Sequence, residues 1–217
     1  MNQSYDEAAA KEDVMQCLQL LRRKLNFYWR HTGKPPKFIL EGDVPAINED
    51  AVRNCKVFAD RFSMLKNLAS GSTAAELGTQ HGNLAKFMLD NLGVYELHLF
   101  DLKFDITRDD VKNHPSVRLH QGDSAAGLNK MPDEYFDWIY IDAGHSYANV
   151  KSDTIAAMKK LKRGGLLFYN DYTPWSAVEG IPYGVMKAVN ETINGGWSMA
   201  AFALAPGGYF DVAIQRA

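Results

Sequence analysis

The stretch Ala74-Ala75-Glu76-Leu77-Gly78-Thr79-Gln80-His81-Gly82-Asn83-Leu84 decides the fold. It reads as a short buried strand, a tight turn and the start of a helix. Glu76 sits at the strand end. Gly78 and Gly82 stand four apart, so the backbone can turn sharply and come close to a ligand. The fresh helix N-terminus offers unpaired N–H groups to an anionic ligand end. Two common nucleotide loops fit badly. A dinucleotide fingerprint needs glycine at its first, third and sixth places, which from Gly78 hold Gly78, Gln80 and Asn83. A P-loop needs Gly-Lys-Ser/Thr after its spacer, and none follows.

Working outward, strand-like runs alternate with helical ones from Thr73 onward. The reading gives strands at Thr73–Leu77, Glu96–Leu102, Ser116–Gln121, Phe136–Asp142 and Gly165–Asp171. Helices fall near 83–92, 106–113, 125–129 and 149–161. Such alternation implies a parallel sheet with both faces covered. The end differs: Trp197–Leu204 and Tyr209–Ile214 are joined by Ala205-Pro206-Gly207-Gly208, a hairpin turn. The expectation is an α/β chain with a mostly parallel seven-stranded sheet closed by a C-terminal antiparallel hairpin.

In an open parallel sheet, ligands bind beyond the carboxyl ends of the strands. Asp101 ends the second strand, where a carboxylate can accept from two ribose hydroxyls. Asp123 and Ser124 end the third. Asp123 can accept from an adenine amino group and Ser124 can reach a ring nitrogen, or either can simply cap a short helix. Strands four and five end in Asp142 and in Asn170-Asp171, an all-oxygen set of the kind hard cations prefer.

The acidic-x-Gly-x-x-x-Gly pattern resembles motif I of class I S-adenosylmethionine (SAM) methyltransferases. The run Ile141-Asp142-Ala143-Gly144-His145-Ser146-Tyr147, with Val150, Asp153, Gly164-Gly165 and Asn170-Asp171, is similar to a narrower group. These are O-methyltransferases of sugars and natural products, the macrocin and rhamnosyl O-methyltransferases with relatives named after cephalosporin biosynthesis. The resemblance covers about residues 70–215. It implies a Rossmann-like class I methyltransferase fold, with SAM held by Glu76, Gly78, Thr79, Gln80, Gly82, Asn83, Asp101, Asp123, Ser124 and Asp142. It also implies Mg²⁺ on Asp142, Asn170 and Asp171. Relatives often carry an acid where this chain has Asn170, although catechol-type enzymes, which resemble this arrangement, use an asparagine there.

Methyl transfer is an in-line displacement that depends on holding the nucleophile at near-attack distance and shedding water. A metal on the acceptor oxygen would lower that oxygen's pKa. His145, three residues after Asp142, is placed to take the hydroxyl proton, and Asp171 is the alternative base. Catalysis is therefore assigned to His145, Asp142 and Asp171, on a hydroxylated small-molecule acceptor. The competing readings are a nucleotide-dependent oxidoreductase on a similar sheet and a SAM-binding protein without turnover. Asp153 reads as a helix-face charge or a contact to the N-terminal cap.

At 217 residues and 46% hydrophobic content, one α/β domain with an extension is expected. Residues 1–70 form a helical N-terminal cap and 71–217 the SAM-binding domain. In the cap, Val14, Leu18, Leu21 and Leu25 make one apolar stripe. A second helix is expected from Asn48, with a stripe of Ala51, Cys55, Phe58, Phe62 and Leu65. These stripes suit core packing or a homodimer. Cys17 and Cys55 read as small core residues, with no disulfide or zinc spacing. A net charge of −2 gives no electrostatic footprint for nucleic acid or an anionic membrane. No apolar run approaches the roughly 18 to 20 residues that span a bilayer. The polar, acidic start is unlike a secretory signal, so a cytoplasmic location is expected.

Overall fold

Period-two runs of apolar residues become strands here, and the helices that follow them cover both faces. The computed structural model describes residues 6–69 and 73–216. The chain divides into two units, Met1–Ile39 and Leu40–Ala217. The junction expected at residues 70 and 71 lies outside the described residues.

In the first unit, α1 (Glu7–Thr32) begins at Asp6, whose side chain accepts from the Ala8 and Ala9 N–H groups. It ends at Gly33 in the left-handed conformation, a common helix stop. No residue of α1 is buried, and Val14, Leu18 and Leu21 are exposed. Cys17 is exposed as well, against the expectation of a core position.

The second unit opens with a 3₁₀ turn (Glu49–Val52), then β1 (Lys56–Phe58) and α2 (Arg61–Leu68). The single helix expected from Asn48 is therefore two short elements and a strand. Asn48 does cap a turn, accepting from the Asp50 N–H. The helical spacing is overridden because Lys56, Val57 and Phe58 pair in parallel with residues 201–203, and Asp60 starts a new helix by accepting from the Ser63 N–H. Cys55 is half-buried there.

Beyond it run β2 (Thr73–Leu77), α3 (Asn83–Asn91), β3 (Glu96–Asp101), α4 (Asp109–Lys112), β4 (Val117–Gln121) and α5 (Ser124–Asn129). Next come β5 (Phe136–Ile141), α6 (Tyr147–Lys160), β6 (Leu161–Tyr169), and a small hairpin of β7 (Trp175–Ser176) and β8 (Ile181–Pro182). The chain closes with α7 (Val185–Asn194), β9 (Trp197–Ala203) and β10 (Asp211–Arg216). The α7 helix was not read from the sequence.

The main sheet has eight strands in the order β1-β9-β10-β6-β5-β2-β3-β4. Only β10 runs against its neighbours β9 and β6; the other described pairs are parallel. This is the expected sheet with one strand added at its edge. Alternate residues serve opposite faces. Ala75, Leu77, Ile139 and Tyr169 pack with α5, α6 and α7, through Leu128, Val150 and Val189. Ala74, Leu99, Trp138 and Tyr140 pack with α2 and α3, through Met64, Leu65 and Met88. The chain turns back on itself between β2 and β5, which is where an α/β sheet opens a ligand crevice.

Candidate functional site

The turn after β2 is built so that backbone, not side chains, fills the crevice wall. Gly78 has φ of +86°, and a Cβ there would lie 2.0 Å from the Asp142 carbonyl oxygen. Only glycine permits both the conformation and the approach. The Gly78 N–H donates to the Phe100 carbonyl at 2.8 Å and the Asp142 N–H to the Leu77 carbonyl at 2.8 Å. The ends of β2, β3 and β5 are thus tied at one level. Gly82, at φ +76°, starts α3 with no side-chain cap. The helix therefore presents uncapped N–H groups.

Asp101 does more than face a ligand. Its Oδ2 accepts from the Thr79 N–H at 2.9 Å and the Gln80 N–H at 2.8 Å, and Oδ1 accepts from the Lys103 N–H at 3.2 Å. The carboxylate holds the turn in shape. Asp123 accepts from the Ala126 N–H at 2.7 Å as the cap of α5, so the capping role is real. The Ser124 hydroxyl donates to Asp153 at 2.7 Å. Asp153 is buried, not a helix-face charge. Burial lifts its carboxyl to about 6, against the lowering effect of the Ser124 bond.

These groups line one cavity of about 670 Å³. Glu76, Gly78, Thr79, Gln80, Asn83, Asp101, Asp123, Ser124, Asp142 and His145 all lie on its wall. Gly82, Asn170 and Asp171 do not. Gly82 faces Thr107 and Arg108 instead, and serves the site by shaping the turn. Glu76 is buried, with Oε2 lacking any partner among the described residues. Burial, then the nearby Asp142 charge, holds its carboxyl well above the usual carboxylate range. A positively charged ligand group in the cavity would relieve that penalty.

At the other end of the cavity, His145 stands between two acids. Its Nε2 lies 3.5 Å from Asp142 Oδ1 and 3.6 Å from Asp171 Oδ2. Burial alone would lower its pKa. The close approach of Asp142 and the charges of Asp142 and Asp171 outweigh burial and raise it. The ring stacks on Tyr183, centroids 4.4 Å apart. The His145 carbonyl accepts from the Gly184 N–H at 2.8 Å, and a Cβ on Gly184 would meet the Tyr147 nitrogen at 2.2 Å.

The metal expectation fares differently. The Asn170 Nδ2 donates to Asp142 Oδ1 at 2.8 Å, so an amide nitrogen, not an oxygen, faces that carboxylate. The imidazole of His145 stands between Asp142 and Asp171. Among the described residues no group of three His, Cys, Asp or Glu side chains is placed to hold a metal ion. The donor set is a hydrogen-bonded cluster and does not fit Mg²⁺ as arranged. The SAM expectation fits: a backbone-walled cavity, uncapped helix N–H groups and an orphaned buried carboxylate oxygen suit a cationic nucleoside.

Residues 75–172 match the family model described as a methyltransferase domain. This stretch is similar to that family over a little under half of the chain. Solved structures agree in fold. A candidate rRNA methylase from Clostridium thermocellum aligns at 15% identity over 71% of this chain and 92% of its own, with a TM-score of 0.56. A candidate type 11 methyltransferase from Sulfolobus solfataricus aligns at 16% over 68% and 85%, TM-score 0.51. Spermidine synthase from Thermotoga maritima aligns at 14% over 73% of this chain, TM-score 0.50, and this chain spans 57% of its length. A comparison with curated proteins returns no match. No helix among the described residues is long and apolar enough to cross a membrane.

The cavity also has wall residues that sequence reasoning did not assign to the site: Arg61, Asn149, Ser152, Asp153 and Glu179. Asn149, Ser152 and Asp153 carry a readable signal, one face of the helix after the Asp142 strand. Arg61 and Glu179 carry none. They arrive from α2 and from the β7–β8 hairpin, segments outside the matched stretch.

Proposed function

We propose that this protein transfers the methyl group of SAM to a hydroxyl of a small molecule, sugar-like or from natural-product chemistry, with His145 as the base. The observation that carries the reading is the imidazole between Asp142 and Asp171, on the wall of a cavity shaped by Gly78 and Asp101. When bound, SAM supplies a methyl group on a sulfonium, an already activated leaving group. The residues supply the rest. Gly78, Thr79, Gln80 and Asn83 shape the cofactor wall. Glu76 faces positive charge. Asp101 keeps one oxygen within reach of a ribose while it holds the turn. The His145 imidazole takes the acceptor proton, and the flanking carboxylates stabilise the imidazolium that forms. No step is routed through a divalent ion.

Two measurements test this. SAM, and not NAD, should raise the melting temperature. With a labelled methyl donor and a panel of hydroxylated acceptors, His145→Ala should lose roughly 10²- to 10⁴-fold in turnover while keeping SAM affinity. An unchanged rate in that variant would remove His145 from the chemistry. Absence of any SAM-induced shift would remove the cofactor reading itself.

A further inference from the structure

The cavity wall holds six carboxylates, Glu76, Asp101, Asp123, Asp142, Asp153 and Glu179, but among the described residues a single Arg or Lys, Arg61. SAM carries a sulfonium, an ammonium and one carboxylate. The acids answer the first two groups. Only one permanent cation is available to the third. Arg61 is the first residue of α2, set by the Asp60 cap. Its Nε lies 3.4 Å from Asp211 Oδ2. Asp211 is itself buried and also accepts from the Tyr140 hydroxyl. The buried acid therefore pairs with the Nε edge of the guanidinium. The Nη nitrogens make no hydrogen bond among the described residues, and the side chain keeps 29% exposure. A guanidinium held by Nε presents two parallel N–H groups, the fork that matches a carboxylate.

The sheet order places this fork at the correct end. Asp101 and Asp123 follow β3 and β4, on one side of the crevice, where the nucleoside reading puts ribose and base. Asp211 begins β10, on the other side of β5. Resting on the SAM reading above, we infer that Arg61 binds the carboxylate of the cofactor's amino-acid end, with Asp211 and Tyr140 as its positioning residues.

The test compares two ligands on the full chain by calorimetry. S-adenosylhomocysteine has the amino-acid end, and 5′-methylthioadenosine lacks it. Arg61→Gln should weaken S-adenosylhomocysteine roughly 10- to 100-fold, the range of a charge-assisted pair. Methylthioadenosine should bind within about twofold of wild type, which also shows that the variant is folded. Arg61→Lys keeps the charge but not the fork, and should fall between, again for S-adenosylhomocysteine alone. Equal losses for both ligands in either variant, or no loss for either, overturn the assignment while leaving the SAM reading intact. A wild type that binds neither ligand overturns both.

Discussion

Removing the Asp101 carboxylate should destabilise the protein even with no cofactor present. If Asp101 served only a ribose, Asp101→Ala would spare the free enzyme. The structure gives it three backbone N–H partners instead: Thr79, Gln80 and Lys103. Hydrogen bonds to a charged group contribute about 1.5 to 3 kcal/mol each. The Lys103 bond is long and exposed and is left out. Thr79 is buried, so its N–H loses its partner outright. Gln80 is exposed enough for water to replace part of its bond. The lower end of the two-bond sum, about 3 kcal/mol, follows. For a domain of this size about 1 kcal/mol moves the melting temperature by roughly 2 to 4 °C, so the loss should be about 6 to 12 °C. Differential scanning calorimetry without ligand reads this directly. Asp101→Asn keeps one carbonyl acceptor and should lose about half as much. A ligand-free melting temperature within about 2 °C of wild type would refute the reasoning, whatever happens to SAM binding.

Other outcomes follow from the same geometry. The Asp153 carboxyl rises from 3.8 unfolded to about 6 folded, so the folded state holds the proton more tightly. Stability should therefore fall as pH rises from about 4 to 6, by about 3 kcal/mol, and stay level above. Asp153→Asn, which keeps an acceptor for Ser124, should abolish that slope and be the more stable protein at pH 7, as urea midpoints at pH 4.5 and 7.5 would show. His145 must be neutral to act as a base, and its pKa lies above 6.5. The acid limb of kcat/KM should lie above pH 6.5 and move down in Asp171→Asn, which removes one raising charge; an unmoved limb would contradict the role. Because Asn170 turns its amide nitrogen to Asp142, exhaustive chelation with EDTA should leave methyl transfer unchanged, and a rate that requires added Mg²⁺ would show that Asn170 and His145 rearrange.

The sheet was legible because its signals are local. Alternation, the glycine turn at Gly78 and the acids at strand ends each depend on a few adjacent residues. The hairpin was legible from Pro206-Gly207-Gly208 for the same reason. The region 48–68 was not, since its apolar spacing suits a helix until β9 offers Val57 a backbone partner. Pairing between residues so far apart leaves no trace in a window of ten. Arg61 was illegible on the same grounds: its function depends on Asp211, 150 positions away. The metal set of Asp142, Asn170 and Asp171 finds no support here, because spacing reports which oxygens gather, not which way an amide turns. Asp153 was placed correctly on its helix, but burial, not position, decides its chemistry.

The Gly184 bond to the His145 carbonyl has a consequence for how such an enzyme can diversify. The segment 172–184 is fastened to the His145 loop and stacks Tyr183 on its ring. Grafting a foreign loop there would detune basicity along with selectivity. Glu179 belongs to the same fastening, because it accepts from the Tyr183 hydroxyl and its charge adds to the raised His145 pKa, so a change there would also reach the imidazole.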